Sequence, residues 1–281
     1  MTFTEGHFAK GHGTGNDFVV LPDPDGALEL TAALVRALCD RRTGIGGDGV
    51  LRVVRAAKHP DAAAMAGEAE WFMDYWNADG SLAEMCGNGS RVFARYLLAQ
   101  DLAAPGEWSL ATRAGVKAVR VPAAGDVTVD MGQPVLGRDS YAVLGGRRHH
   151  GVAVSMGNPH LVCGLGAADL DEAELGRQPG YDVGVFPDGV NVELVTPVGA
   201  GHVRIRVHER GSGETASCGT GACAVAAVAL RDAGQTSGEV LVDVPGGRLR
   251  ITLDGRTSWL TGPAVLVAEG TLDPGWLAAT G

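Results

Sequence analysis

Lysine is nearly missing from this chain: Lys10, Lys58 and Lys117 are the only three in 281 residues. Pyridoxal enzymes anchor their cofactor on a Schiff-base lysine. Lys58 lies in a loop-like Arg-Ala-Ala-Lys-His-Pro segment, and Lys10 and Lys117 have no suggestive context, so that chemistry is disfavoured. The five cysteines (Cys39, Cys86, Cys163, Cys218, Cys223) are sparse and odd in number, which argues against a disulfide framework. No two form a Cys-x-x-Cys pair and no histidine pairing resembles a zinc site, so no metal is expected. The longest apolar run, Ala222 to Leu230, falls short of the roughly 20 residues of a membrane span. Met1 to Phe18 is polar and glycine-rich with no apolar h-region, and a cytoplasmic location is expected. Basic residues are outnumbered 23 to 33, for a formal charge of −10. Neither a nucleic acid nor an anionic membrane is therefore expected as a partner.

Apolar residues and glycine are plentiful: the chain is 45% hydrophobic, with 43 glycines. Its length suits one large or two medium domains. The segment Cys86-Gly-Asn-Gly recurs 132 positions later as Cys218-Gly-Thr-Gly, each opening a helix-like stretch. Gly15-Asn16-Asp17-Phe18-Val19-Val20 resembles Gly157-Asn158-Pro159-His160-Leu161-Val162, and Asp48-Gly49-Val50 matches Asp188-Gly189-Val190. Asn77 precedes Cys86 by nine residues, as Glu209 precedes Cys218. A short tandem period would mean a solenoid. One period near half the chain length means two homologous domains.

Strand-like runs dominate both halves: Asp17–Leu21, Val50–Val54, Trp71–Trp76, Val116–Val121 and Val127–Met131, then Val152–Ser155, Leu161–Cys163, Asn191–Thr196, His202–Val207, Val240–Val244, Arg248–Leu253 and Trp259–Leu260. Helices are expected over Thr31–Arg41, Ser90–Gln100, Asp169–Arg177 and Thr220–Arg231. The last has no polar face, and a helix apolar all round is buried. The expectation is an α/β (α+β) fold of two pseudo-symmetric domains. Each is a curled, mixed sheet around a central helix with a cysteine at the helix mouth. Residues 1–131 with 263–281 form one domain and 132–262 the other, with the crossing near Pro134 and Gly137 and the active site in the interdomain cleft.

A free thiol has a pKa of about 8.5, and helix N-terminal amides and the macrodipole stabilise its thiolate. The amides of Gly87-Asn88 and Gly219-Thr220 would bind an anion such as a carboxylate, placing its α-carbon near both sulfurs. Two thiols about one carbon suit cofactor-free inversion of an amino acid, one as base and one as acid, with the helix mouths and an arginine stabilising the enediolate. Each feature also has a plainer reading. A cysteine before a helix can be an inert core residue, as Cys39, Cys163 and Cys223 are taken to be. Arg210 can be a surface ion-pair residue, His160 a structural hydrogen-bonder, and Asn16 and Asn158 turn residues.

Together, His12-Gly13-Thr14-Gly15-Asn16-Asp17-Phe18, Asn77-Ala78-Asp79-Gly80-Ser81, Cys86-Gly87-Asn88-Gly89-Ser90-Arg91, Gly157-Asn158-Pro159-His160 and Glu209-Arg210-Gly211-Ser212-Gly213-Glu214-Thr215 with Cys218-Gly219-Thr220-Gly221 resemble the diaminopimelate epimerase family, from Phe3 to about Gly270. The resemblance implies a pyridoxal-independent isomerase interconverting LL- and meso-2,6-diaminopimelate, on the route to lysine and peptidoglycan. It implies Cys86 and Cys218 as the catalytic pair and Gly87, Asn88, Gly219 and Thr220 as carboxylate holders. Asn16, Asn77, Asn158, Asn191, Glu209 and Arg210 would bind the rest of the substrate, with His160 and Glu209 tuning the thiols. No cofactor and a homodimer are implied. Gly49 stands where many members carry a substrate-contacting Gln, and Ala268 where some carry an aromatic at the dimer edge.

Other readings stay open. Proline and hydroxyproline racemases share the two-cysteine logic, but a compact cyclic substrate leaves Asn77, Asn191 and Arg210 without a purpose. Phenazine-pathway isomerases share the fold without the thiol pair. A redox protein switching a Cys86–Cys218 disulfide, or a non-catalytic binding module, are the rivals from other classes.

Overall fold

The computed structural model describes residues 6–280; Met1–Glu5 and Gly281, counted above as ends of the first domain, lie outside the described residues. The chain separates into two compact units, one running to Val129 and resuming at Pro263, the other Asp130–Gly262.

The first unit contains β1 (His7–Gly13), β2 (Asn16–Pro22), α1 (Ala32–Cys39), β3 (Gly49–Arg55), β4 (Trp71–Asn77), α2 (Gly87–Ala99), β5 (Gly106–Thr112) and β6 (Gly115–Val121), and β7 (Val127–Gly132) leads out of it. The second holds β8 (Val135–Leu144), β9 (Arg147–Ser155), β10 (Pro159–Gly164), α3 (Ala167–Glu172), β11 (Gly180–Tyr181), β12 (Asn191–Gly199), β13 (His202–Glu209), β14 (Gly213–Thr215), α4 (Gly219–Asp232), β15 (Gly238–Val244), β16 (Gly247–Leu253) and β17 (Ser258–Gly262). The chain then returns to the first unit as β18 (Val265–Thr271) and α5 (Pro274–Thr280).

The duplication extends to strand pairing. Across the first unit the order is β18, β1, β2, β3, β4, β5, β6, β7, with pairings antiparallel, antiparallel, parallel, antiparallel, parallel, antiparallel, antiparallel. Across the second it is β8, β9, β10, β12, β13, β15, β16, β17, with the same series of pairings. Parallel neighbours need a crossover. α1 and α2 occupy the two crossovers of one unit, α3 and α4 those of the other. This is the mixed, sheet-dominated α/β fold the sequence implies.

In each unit the sheet wraps one helix. α2 lies against β1, β2, β3, β4, β6 and β18, burying Val92, Phe93, Ala94 and Leu97. α4 lies against β9, β10, β12, β15, β16 and β17. Its Ala222, Cys223, Ala224, Val225, Ala226 and Ala227 are all buried, because small side chains let strands approach from every side.

Some boundaries differ from expectation. α2 begins at Gly87 rather than Ser90 and α4 at Gly219 rather than Thr220; the first turn lacks intrahelical donors' partners anyway and tolerates glycine beside a capping sulfur. α3 ends at Glu172 instead of Arg177, its cap residue Ala173 being extended. Gly137 lies inside β8, where the register slips between Leu136 and Asp139, so it absorbs a bulge; the units divide earlier, after Val129. No helix among the described residues is long and apolar enough to cross a membrane.

Candidate active site

Cys86 and Cys218 occupy the same local structure. Each is the N-cap of its unit's central helix, extended at φ −140° and −116° respectively. Each sulfur accepts a bond from the amide three residues on, Gly89 N at 3.4 Å and Gly221 N at 3.4 Å. A side-chain acceptor at the N-cap satisfies one orphan amide of the first turn, and here sulfur does what serine or aspartate oxygen usually does. The first-turn amides of Gly87-Asn88 and Gly219-Thr220 carry the positive end of the helix dipole.

In the first unit, Thr14 (φ 49°) and Gly15 (φ 82°) form a two-residue hairpin turn between β1 and β2, and positive φ at both positions matches strand twist. The turn delivers Asn16, whose Oδ1 accepts from Cys86 Sγ at 3.6 Å and from Asn88 Nδ2 at 3.2 Å. Asn16 Nδ2 donates to Asp48 Oδ2 at 2.8 Å, and Arg41 holds the other Asp48 oxygen at 2.8 Å. Asp48 thus fixes which end of the Asn16 amide faces the thiol. Arg91, fully buried, donates to Thr14 Oγ1 (3.2 Å), Gly87 O (3.4 Å) and Pro263 O (3.2 Å), tying the turn to the helix mouth. An added Cβ on Gly13 would lie 2.8 Å from Arg91 Nη2, which is why glycine stands there. Asn77 donates to Ser81 Oγ at 3.0 Å.

In the second unit, Asn158 Nδ2 donates to Thr220 Oγ1 at 3.4 Å, and Thr220 Oγ1 lies 3.5 Å from Cys218 Sγ. His160 is wholly buried, with Nε2 3.0 Å from Asn158 Oδ1 and Nδ1 2.7 Å from Glu193 Oε1. It reaches Cys218 through Asn158 and Thr220 rather than by a direct bond. Asn191 accepts from Arg210 N at 2.8 Å and donates to Pro159 O at 3.2 Å, and the Arg210 guanidinium donates to Asp188 O at 2.9 Å. Thr215 Oγ1 donates to Glu209 Oε1.

Electrostatics corrects one expectation. A helix mouth favours a thiolate, yet burial holds the Cys218 thiol well above its ordinary value, helped by the Glu209 carboxylate. The bonds from Thr220 and from Gly221 N act the other way and are outweighed.

The comparisons with known proteins bear on these motifs. The diaminopimelate epimerase family model matches residues 8–137 and 152–267. The chain belongs to the diaminopimelate epimerase family. It is 57% identical over 281 residues to the diaminopimelate epimerase of Streptomyces coelicolor, covering 96% of each chain. It is 50% identical over 286 residues to that of Mycolicibacterium smegmatis, covering 96% of this chain and 97% of the relative. Among solved structures, a phenazine biosynthesis protein of Bacillus anthracis superposes with a TM-score of 0.69 at 15% identity, covering 95% of this chain and 98% of its own. A hydroxyproline epimerase of Agrobacterium vitis gives 0.68 at 15% identity, covering 98% and 95%. Those two share the fold.

For a member of the diaminopimelate epimerase family, three residues here escaped sequence reasoning as site residues: Asp48, Arg91 and Glu193. Asp48 sits in the repeated Asp-Gly-Val and Arg91 closes the first cysteine motif, so position alone could have flagged both. Glu193 carries no such signal.

Proposed function

We propose that this family member interconverts LL- and meso-2,6-diaminopimelate with Cys86 and Cys218 as its two acid–base groups, without pyridoxal phosphate. The observation that carries the reading is the paired capping geometry. In each unit one cysteine sulfur stands at the first turn of the most buried helix, beside amides able to receive a carboxylate.

In this reading the Gly87-Asn88 and Gly219-Thr220 amides hold the carboxylate of the reacting centre. One sulfur, as thiolate, removes the α-proton; the carbanion's charge spreads into the carboxylate, where the helix dipoles stabilise it. The other sulfur, as thiol, returns a proton to the opposite face. The net change is inversion at one carbon, with protons balanced and the two sulfurs' roles exchanged. Asn16, Asn77, Asn158, Asn191, Glu209 and Arg210 bind the remainder of the substrate, Arg210 and the asparagines suiting a distal amino-carboxylate group. His160 and Glu209 act on the thiols. For Glu209 and Cys218 the support is the upward push described above. The enzyme works in the cytoplasm as a homodimer, supplying lysine and peptidoglycan synthesis.

The test is solvent deuterium incorporation at the α-carbon in heavy water, with LL-diaminopimelate against L-proline, on protein freed of metal and cofactor. Washout from diaminopimelate alone is the expected result; washout from proline alone would move the chain to the racemase reading. Activity that rises on thiol oxidation, instead of falling and recovering with a reductant, would favour a redox switch.

A further inference from the structure

Glu193 on β12 is fully buried, and its Oε2 has no hydrogen-bond partner among the described residues. Its Oε1 faces His160 Nδ1 at 2.7 Å. An anionic carboxylate with a bare oxygen cut off from solvent is among the costliest arrangements a protein can hold. Protonation removes the charge and leaves only a carbonyl oxygen unpaired. Burial, opposed by His160 and aided by Glu209, pushes Glu193 in that direction.

The proton's place sets every bond beyond it. Asn158 Nδ2 donates to Thr220, so Asn158 Oδ1 accepts from His160 Nε2, which must carry hydrogen. With the proton on Glu193, His160 Nδ1 is the acceptor of the Glu193 O–H and Nε2 carries the ring's one hydrogen. The donors then run one way: Glu193 to His160, His160 to Asn158, Asn158 to Thr220, and the Thr220 hydroxyl onto Cys218 Sγ. Hydrogen bonds aligned in series reinforce one another. A donor on sulfur favours the thiolate, opposing the burial that suppresses it. Gly221 makes room for the carboxyl, since an added Cβ would lie 2.6 Å from Glu193 Oε1.

We propose that Glu193 is a positioning residue for Cys218, the protonated head of a one-way chain of hydrogen bonds that ends with a hydroxyl donor on the sulfur. It touches no reacting atom. It selects the His160 tautomer, and through it the Asn158 amide orientation and the direction of the Thr220 hydroxyl. The ionisable groups around it are His160 on β10, Cys163 on β10, Glu209 on β13 and Cys218 at the mouth of α4. The inference rests on reading Cys218 as an acid–base thiol, but it is testable without turnover.

Two substitutions of similar size separate the idea from mere packing. Glu193→Gln keeps a donor to His160 Nδ1, and Glu193→Met removes it. The readout is the rate at which iodoacetamide labels Cys218 across pH, followed by peptide mass spectrometry with Cys86 as internal control. Glu193→Gln should label within about twofold of the parent, and Glu193→Met about tenfold more slowly at a given pH, with Cys86 unchanged in both. Equal rates for the two variants, or equal slowing of Cys86, would overturn the proposal. If Glu193→Met does not fold, nitrogen-15 NMR of the parent's His160 ring decides. Hydrogen on Nε2 alone is expected; a ring with hydrogen on Nδ1, whether neutral or as the imidazolium, would sink the chain. Should deuterium exchange fail while these readouts hold, the proposed reaction is wrong and the chain stands.

Discussion

Gly221 and Glu193 compete for one volume: an added Cβ on Gly221 would lie 2.6 Å from Glu193 Oε1 and 3.2 Å from its Cδ and Cγ. The carboxyl is held by His160 and has no solvent to retreat into. Gly221→Ala must therefore shift either the helix mouth or the glutamate. Overpacking of this kind costs about 1–3 kcal/mol, and denaturant unfolding should show a loss in that range. Because Gly221 N also bonds Cys218 Sγ, kcat should fall with it. An unchanged unfolding midpoint would mean the carboxyl moves aside freely.

Replacing either capping sulfur tests the chemistry itself. A serine oxygen can cap a helix as well as sulfur, so Cys86→Ser and Cys218→Ser should both fold with unchanged thermal midpoints. A serine hydroxyl is a far weaker base than a thiolate, and kcat should fall by about three orders of magnitude or more in each. Retention of turnover in either variant would remove that sulfur from the mechanism.

Much of this was legible because the sequence repeats itself. The duplicated Cys-Gly-x-Gly pointed to two buried helices, and both units do share one series of strand pairings. Strands lacking apolar alternation were not legible. His7–Gly13 reads as polar and glycine-rich, and Val135–Leu144 carries Arg138, Asp139 and Ser140; each forms by pairing with a neighbour rather than by its own pattern. Glu193 was hidden for a related reason. Val192, Glu193 and Leu194 are all buried, since β12 is covered on both faces, and no inside–outside alternation marks the glutamate as facing the site. Its role emerges only when β10 and β12 place His160 beside it.

Asp17 supplies a pH-dependent prediction. Burial raises its pKa, but hydrogen bonds from Arg41 and Lys10 win and hold it at about 2, against 3.8 ordinarily. Arg41 grips both oxygens, at 2.6 and 3.0 Å, and Lys10 lies 2.6 Å away. The folded value is depressed, so the stabilisation is complete above the unfolded pKa. It fades as pH falls from about 4 through about 2. Because Arg41 is largely exposed, screening limits the gain to about 1–2 kcal/mol. Arg41→Ala should move the acid-unfolding midpoint to higher pH while leaving stability above pH 5 lowered by no more than that amount. It should also raise KM several-fold, because Arg41 steadies the Asp48 that orients Asn16. An acid transition unmoved by the substitution would show that Lys10 alone holds Asp17.

Gly49 is the clearest departure from the pattern the resemblance implies, and the backbone accounts for it. An added Cβ there would lie 2.5 Å from Trp76 O and 2.7 Å from the Tyr75 ring. The carbonyl belongs to β4, registered against β3 with Gly49 opposite Asn77, and cannot withdraw without breaking that pairing. Restoring the side chain that many members carry should therefore harm this enzyme. Gly49→Gln is expected to lose about 1–3 kcal/mol of unfolding free energy. KM for LL-diaminopimelate should rise rather than fall, because displacing β4 displaces Asn77 at its end. Parental stability and a lower KM in the Gly49→Gln variant would mean that β4 yields at Trp76 and that the missing contact, not the close approach of two strands, limits substrate binding in this chain.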